Sequence, residues 1–137
     1  MNKNDINIFE DGQQSRDFVY IDDVIDATIL SIQKTVPQNI ALNVGSGVAT
    51  TVEEVAQNLK QLYQSDINIR ISGEYRLGDI RHNKADINKI SKLLGFQPKT
   101  SFKEGVSLFV EWVKKQEIQS DNYEQSILEL KEKGLMK

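Results

Sequence analysis

Residues 6 to 33, INIFEDGQQSRDFVYIDDVIDATILSIQ, change periodicity once, and the reading of the fold turns on where they do so. From Ile6 to Ile21, apolar and β-favouring residues flank Asp11-Gly12, a dipeptide that tolerates positive φ, so the spacing predicts two short strands around a turn. From Asp22 the pattern becomes helical. Ile25, Ile29, Ile32 and Val36 recur at intervals of four, three and four, which puts them on one face, and Pro37 is expected to stop the run. Asp22 or Asp23 is expected to cap this helix.

Outward from that segment the elements alternate. IALNVGSG (40–47) reads as a strand closed by glycines, and Gly45 to Thr51 as a tight strand-to-helix turn. In TTVEEVAQNLKQLY (50–63), Thr51 and Glu54 have capping-box spacing, with Val52, Val55, Ala56, Leu59 and Leu62 facing inward. INIRI (67–71) is a short strand. After the polar loop GEYRLGDIRHNKAD (73–86), a helix is expected to start near Asp86, stop at Gly95 and bury Ile87, Ile90 and Leu94. Ser101 and Glu104 offer a second capping box for a helix that buries Val106, Phe109, Val110 and Val113, and a last helix is expected to end at Gly134. The predicted fold class is α/β: a small mixed α/β domain with more helix than strand.

The 137 residues are one domain's length, and 39% hydrophobic with 27% charged residues fits a globular chain. A net charge of −3 supplies no field to draw nucleic acid or an anionic membrane, so neither is expected as a partner. No apolar run approaches the roughly 20 residues of a membrane span, and the N-terminus lacks a signal-peptide core, so a cytoplasmic location is expected. With no Cys and one His, neither a disulfide framework nor a metal cluster is expected.

Gly45-Ser46-Gly47 is followed three positions on by Thr50, which fails the glycine spacing of a dinucleotide-binding turn. A Ser-His-acid triad would need His82 as base, and nothing nearby marks a nucleophile elbow. Arg16, Arg76 and Asp79 remain. Two guanidiniums from separate segments suit a diphosphate through charge-assisted hydrogen bonds, and a carboxylate close by suits a ribose diol. On spacing alone, the same residues read first as surface salt bridges, because charges in loops are mostly solvated. His82 reads as a packed or capping residue or as a base, and the role of Arg81 stays open.

DGQQSRDFVYIDDV, LNVGSG before a Thr-started helix, and YRLGDIRHNKADINKISKLLGFQP resemble, in this order, the C-terminal half of the NAD-dependent nucleotide-sugar epimerases and dehydratases of the extended short-chain dehydrogenase/reductase family. The GDIRHNKAD form is most similar to the branch with UDP-N-acetylglucosamine 4-epimerases and dTDP-L-rhamnose 4-epimerase-like proteins. The resemblance implies that Arg16 and Arg76 contact the nucleotide diphosphate and that Asp79 reaches the ribose, with Gly78 allowing the turn between the last two. Tyr20 and Asp23 match family positions and read as structural.

It also implies NAD and a Tyr-x-x-x-Lys pair for the full-length enzyme. Tyr20, Tyr63, Tyr75 and Tyr123 are followed at that spacing by Val24, Ile67, Asp79 and Ile127, so no catalytic residue and no cofactor site are expected in this chain. Residues 1–137 are thus expected to be the substrate-binding portion of such an enzyme, without the N-terminal Rossmann half, binding a nucleoside diphosphate sugar and not catalytic alone. The alternative is a non-catalytic interaction module. Either way a homodimer or larger assembly is expected, through an unpaired edge and an apolar patch around Ile40 to Val44 and the neighbouring helices.

Overall fold

The switch from strand to helix between residues 6 and 33 is present in the computed structural model of the chain, which describes residues 5–35, 39–117 and 120–137. Among the described residues the order is β1 (Ile6–Ile8), β2 (Ser15–Asp17), α1 (Ile21–Gln33), β3 (Ala49–Thr51), α2 (Val52–Leu62), β4 (Ile69–Ile71), α3 (Asn88–Leu94), α4 (Phe102–Val113) and α5 (Tyr123–Glu132). This is the mixed α/β architecture with more helix than strand. The chain divides into two units, residues 1–14, 51–81 and 110–137 in the first and residues 15–50 and 82–109 in the second.

In the first unit β1 and β4 run parallel, with Ile6 opposite Ile69 and Ile8 opposite Ile71. A parallel pair needs a long crossover, and α2 lies within it. Thr51 Oγ1 accepts the Glu54 N–H at 3.1 Å while the Glu54 carboxylate accepts the Thr51 N–H at 2.7 Å, the reciprocal cap predicted for α2. Ile8, Ala56, Val110 and Met136 are buried. The two strands expected to flank Asp11-Gly12 exist, but they are not partners: β1 pairs with β4 and β2 with β3. Past the turn, the Gln14 side-chain amide donates to the Phe9 carbonyl at 3.0 Å and the Gln14 carbonyl accepts the Val52 N–H at 2.9 Å. The start of α2 therefore takes the hydrogen bonds that a hairpin would have placed on β1.

The second unit is built on Ala27, Ile90, Leu94 and Phe96, with Leu30, Leu42, Val44 and Ile87 packed around them. The face of α1 that carries Ile25, Ile29 and Ile32 is not the one this core uses. Ile21, Ile25, Ile29 and Ile32 are exposed, Ile32 by 80%, whereas Asp23 and Ala27 are 2% exposed. Val36 and Pro37 lie outside the described residues. The helix turns Asp23 inward because its carboxylate accepts the N–H groups of Lys99 at 2.9 Å and Thr100 at 3.1 Å, so a buried charge is hydrogen-bonded rather than orphaned. Small Ala27, one turn on, sits in the core that joins α1 to α3. Neither Asp22 nor Asp23 caps α1; the N-cap is Tyr20, with no side-chain cap hydrogen bond.

Residues 40–44 form no strand, and Leu42 and Val44 pack on the core instead. Gly95 closes α3 in the left-handed region at φ 67°, as its position after Leu94 predicts. The Ser101 and Glu104 cap of α4 is also formed, with the Ser101 N–H donating to the Glu104 carboxylate at 2.9 Å. Of the predicted α4 stripe Val110 is buried, Val106 and Val113 are half-buried, and Phe109 is exposed.

Asp23→Ala is expected to destabilise the chain by about 2 to 3 kcal/mol, because two loop amides lose a charged acceptor, while Asp22→Ala costs a few tenths. Urea unfolding of both variants checks this, and equal losses would restore the capping role.

Candidate functional site

β2 carries Arg16 and, next to it, Asp17. The Asp17 carboxylate accepts four hydrogen bonds within the second unit: Ser46 N–H at 2.7 Å, Ser46 Oγ–H at 2.5 Å, Gly47 N–H at 2.9 Å and Ala85 N–H at 3.1 Å. Burial raises the Asp17 pKa, but the hydrogen bonds from Ser46, Ala85 and Gly47 outweigh it and hold the carboxyl below its ordinary value. Gly45 is buried at the base of this arrangement, where any β-carbon would run into the Ala85 side chain and the Asp17 carboxylate. Glycine is required there for space.

The Ser15 end of β2 is held as well. The Asn83 N–H donates to the Ser15 carbonyl at 3.0 Å, and the Ser15 hydroxyl lies 3.0 Å from His82 Nδ1 across a parallel bridge. The Ser15 hydroxyl is part of a buried residue, so this pair acts as a strap on β2 rather than as an exposed nucleophile and its base. Arg16, half-buried between these fixed neighbours, donates from Nη1 to the Ser15 carbonyl at 2.9 Å.

In the first unit, the Arg76 carbonyl accepts the Asp79 N–H at 3.3 Å, with Gly78 at φ 81° in the third position of the turn. That is a position where positive φ selects glycine, as expected from the sequence. The Arg76 guanidinium lies over the Phe9 ring, 5.0 Å from its centroid. Arg81 forks onto Glu10 at 3.0 Å and Asp11 at 2.6 Å. The hydrogen bond to Asp11 raises the Arg81 pKa, and the same contact with the Gln13 N–H lowers that of Asp11.

Arg76 and Asp79 thus share one turn of the first unit, and Arg16 belongs to the second. One contributor escaped the sequence reading. Residues 135–137 run antiparallel to 75–77, with Tyr75 N–H to Lys137 O at 2.7 Å, Lys137 N–H to Tyr75 O at 3.0 Å and Leu77 N–H to Leu135 O at 2.9 Å. Three residues are too few for a readable alternation, so nothing in the sequence marked them.

The Gly45-Ser46-Gly47 backbone does not fit a dinucleotide. The Ser46 and Gly47 amides that would cradle a pyrophosphate are already bound to Asp17, and a second anion there would meet its negative charge. Asp17→Asn is expected to cost about 2 kcal/mol, because an amide turns N–H donors toward N–H donors. A carboxyl with a lowered folded pKa contributes stability in full above its unfolded pKa and loses it as pH falls through the folded value. The gap in urea midpoint between wild type and Asp17→Asn should therefore be widest at neutral pH and close on acidification into that range; a gap independent of pH would show that the charge contributes nothing.

Residues 1–109 match the GDP-mannose 4,6 dehydratase family. Among curated relatives, the chain is 33% identical to a dTDP-L-rhamnose 4-epimerase of Burkholderia thailandensis over 79% of this chain and 30% of that protein. It is 30% identical to a UDP-N-acetyl-alpha-D-glucosaminuronate decarboxylase of Bacillus cytotoxicus over 85% of this chain and 37% of that one. Among solved structures, a UDP-glucose 4-epimerase of Thermotoga maritima with UDP-glucose is 36% identical, with a TM-score of 0.75, over 82% of this chain and 36% of that chain. The chain spans about a third of the length of these proteins. Its match across residues 1–109, which contain β2, the Asp17 turn and the Arg76 loop, places the chain in the GDP-mannose 4,6 dehydratase family, among the nucleotide-sugar epimerases and dehydratases.

Proposed function

We propose that residues 1–137 are the nucleoside-diphosphate-sugar binding portion of an NAD-dependent nucleotide-sugar epimerase, and that the complete enzyme carries out 4-epimerisation of a UDP- or dTDP-hexose. The observation that carries this reading is the likeness, at 36% identity, to a UDP-glucose 4-epimerase solved with UDP-glucose. Arg76 and Arg16 contact the diphosphate, and Asp79 accepts from the ribose hydroxyls. The turn that joins Arg76 to Asp79 and the fixed strand under Arg16 support those roles, since side chains on ordered backbone lose less freedom on binding. NAD and the proton-transferring Tyr-Lys pair belong to the rest of such an enzyme, and this portion performs no turnover alone. The reaction takes place in the cytoplasm; no helix among the described residues is long and apolar enough to cross a membrane.

UDP or dTDP is expected to bind weakly to the purified chain. Arg16→Ala and Arg76→Ala should each weaken it by roughly 1.5 to 3 kcal/mol, the worth of a charge-assisted contact. Amide chemical shifts during a UDP titration measure this, and identical shifts in wild type and the double alanine variant would remove the reading.

The exposed isoleucines favour a second reading, a non-catalytic module that self-associates. Ile21, Ile25, Ile29 and Ile32 form one apolar face on α1. This face belongs to the surface expected to associate, Ile40 to Val44 and the neighbouring helices, where Leu42 and Val44 are partly buried against the core. Sedimentation at micromolar concentration should show a dimer or larger species that Ile25→Lys with Ile29→Lys disperses. A wild-type chain at monomer mass would end this reading.

A further inference from the structure

We propose that residues 134–137 form a strap that positions Arg76, so that nucleotide affinity at this arginine is set by the C-terminal segment; the proposal rests on the reading that Arg76 contacts the diphosphate. Everything involved lies in the first unit. The Arg76 loop has a glycine joint at each end, Gly73 at φ 75° and Gly78 at φ 81°, with no atom within 4 Å of where a β-carbon would stand. Such joints leave the segment between them many conformations unless something outside the loop holds it.

The C-terminal segment does so. Gly134, at φ 65°, turns the chain out of α5 and into the pairing with Tyr75 and Leu77, which places Met136 opposite Arg76. Met136 is only 5% exposed, so the strap is anchored by a buried apolar side chain as well as by backbone hydrogen bonds. Lys131, near the end of α5, adds an ion pair to Glu74 at 2.6 Å, and the Glu74 carbonyl accepts the Glu10 N–H at 2.8 Å. With its backbone held on both sides, Arg76 sets its guanidinium over the Phe9 ring, 5.0 Å from the centroid, and a guanidinium has five N–H donors, more than one ring face can engage, for a diphosphate to meet. The strap lies beyond the residues 1–109 that match the family model.

The test uses UDP as the probe, with amide exchange and titration on the full chain, a variant lacking residues 134–137, Met136→Asp, Met136→Leu and Arg76→Ala. In the deletion and in Met136→Asp, the Tyr75 and Leu77 amides should exchange about tenfold faster or more, while Ile6 and Ser72, bonded across β1 and β4, keep their protection. UDP should bind about fivefold more weakly to both, as wild type to Met136→Leu, and the strap changes should add nothing on top of Arg76→Ala. Strap variants that bind UDP as tightly as wild type, beside an Arg76→Ala that binds it weakly, would overturn the strap and leave the Arg76 reading intact. An Arg76→Ala that binds like wild type would overturn both. Where Met136→Asp also exposes Ile6 and Ser72, the milder Met136→Ala decides by the same comparison.

Discussion

The Asp17 carboxylate is the interaction on which the second unit depends. A carboxylate is acceptor-only and offers about four lone-pair sites, and here the bend at residues 45–47 and the segment at Ala85 supply the donors. Those amides have no strand partner, since residues 40–44 form none, so without Asp17 several backbone donors would lack an acceptor. Asp23 does the same for the amides of Lys99 and Thr100. A unit whose sheet consists of two three-residue strands is held by side-chain acceptors where a larger sheet would use its ladder.

This arrangement explains the glycines better than a ligand does. Gly45 is small because Ala85 and Asp17 occupy the space a side chain needs, and Gly47 at φ 71° gives its amide to the same carboxylate. A Gly-x-Gly stretch is a phosphate cradle only when its amides are available, and here a protein anion has taken that place. The charges proposed to meet the nucleotide lie elsewhere, on the strand beside Asp17 and on the Arg76 turn.

The first unit solves a different problem. Its parallel pair is three residues long, and the loop that leaves β4 carries Arg76 between two glycine joints and Asp79 just past the second. Arg81 closes one side of that loop on Glu10 and Asp11, and the C-terminal residues close the other. Exposed ion pairs contribute little alone, each well under about 1 kcal/mol in most cases. The backbone pairing and the burial of Met136 therefore carry more of the order in this loop than its charges do.

What the sequence determined by itself is local. Both capping boxes, the stop of α3 at Gly95 and the turn at Gly78 are interactions within a few residues, so spacing alone reveals them. The assignment of Arg16, Arg76 and Asp79 came from motif order, because a charge in a loop looks the same whether it binds a ligand or only water. Tertiary structure decided the rest. Periodicity groups the isoleucines of α1 on one face, but which face is buried was settled by Asp23, which needs distant amides, and Ala27, whose small size a hydrophobic pattern barely registers. Which strand pairs with which, and that residues 135–137 return to the Arg76 loop, depend on partners roughly 60 residues apart in the chain. Such contacts exist only once the chain has closed long loops, and no local pattern of side chains encodes them.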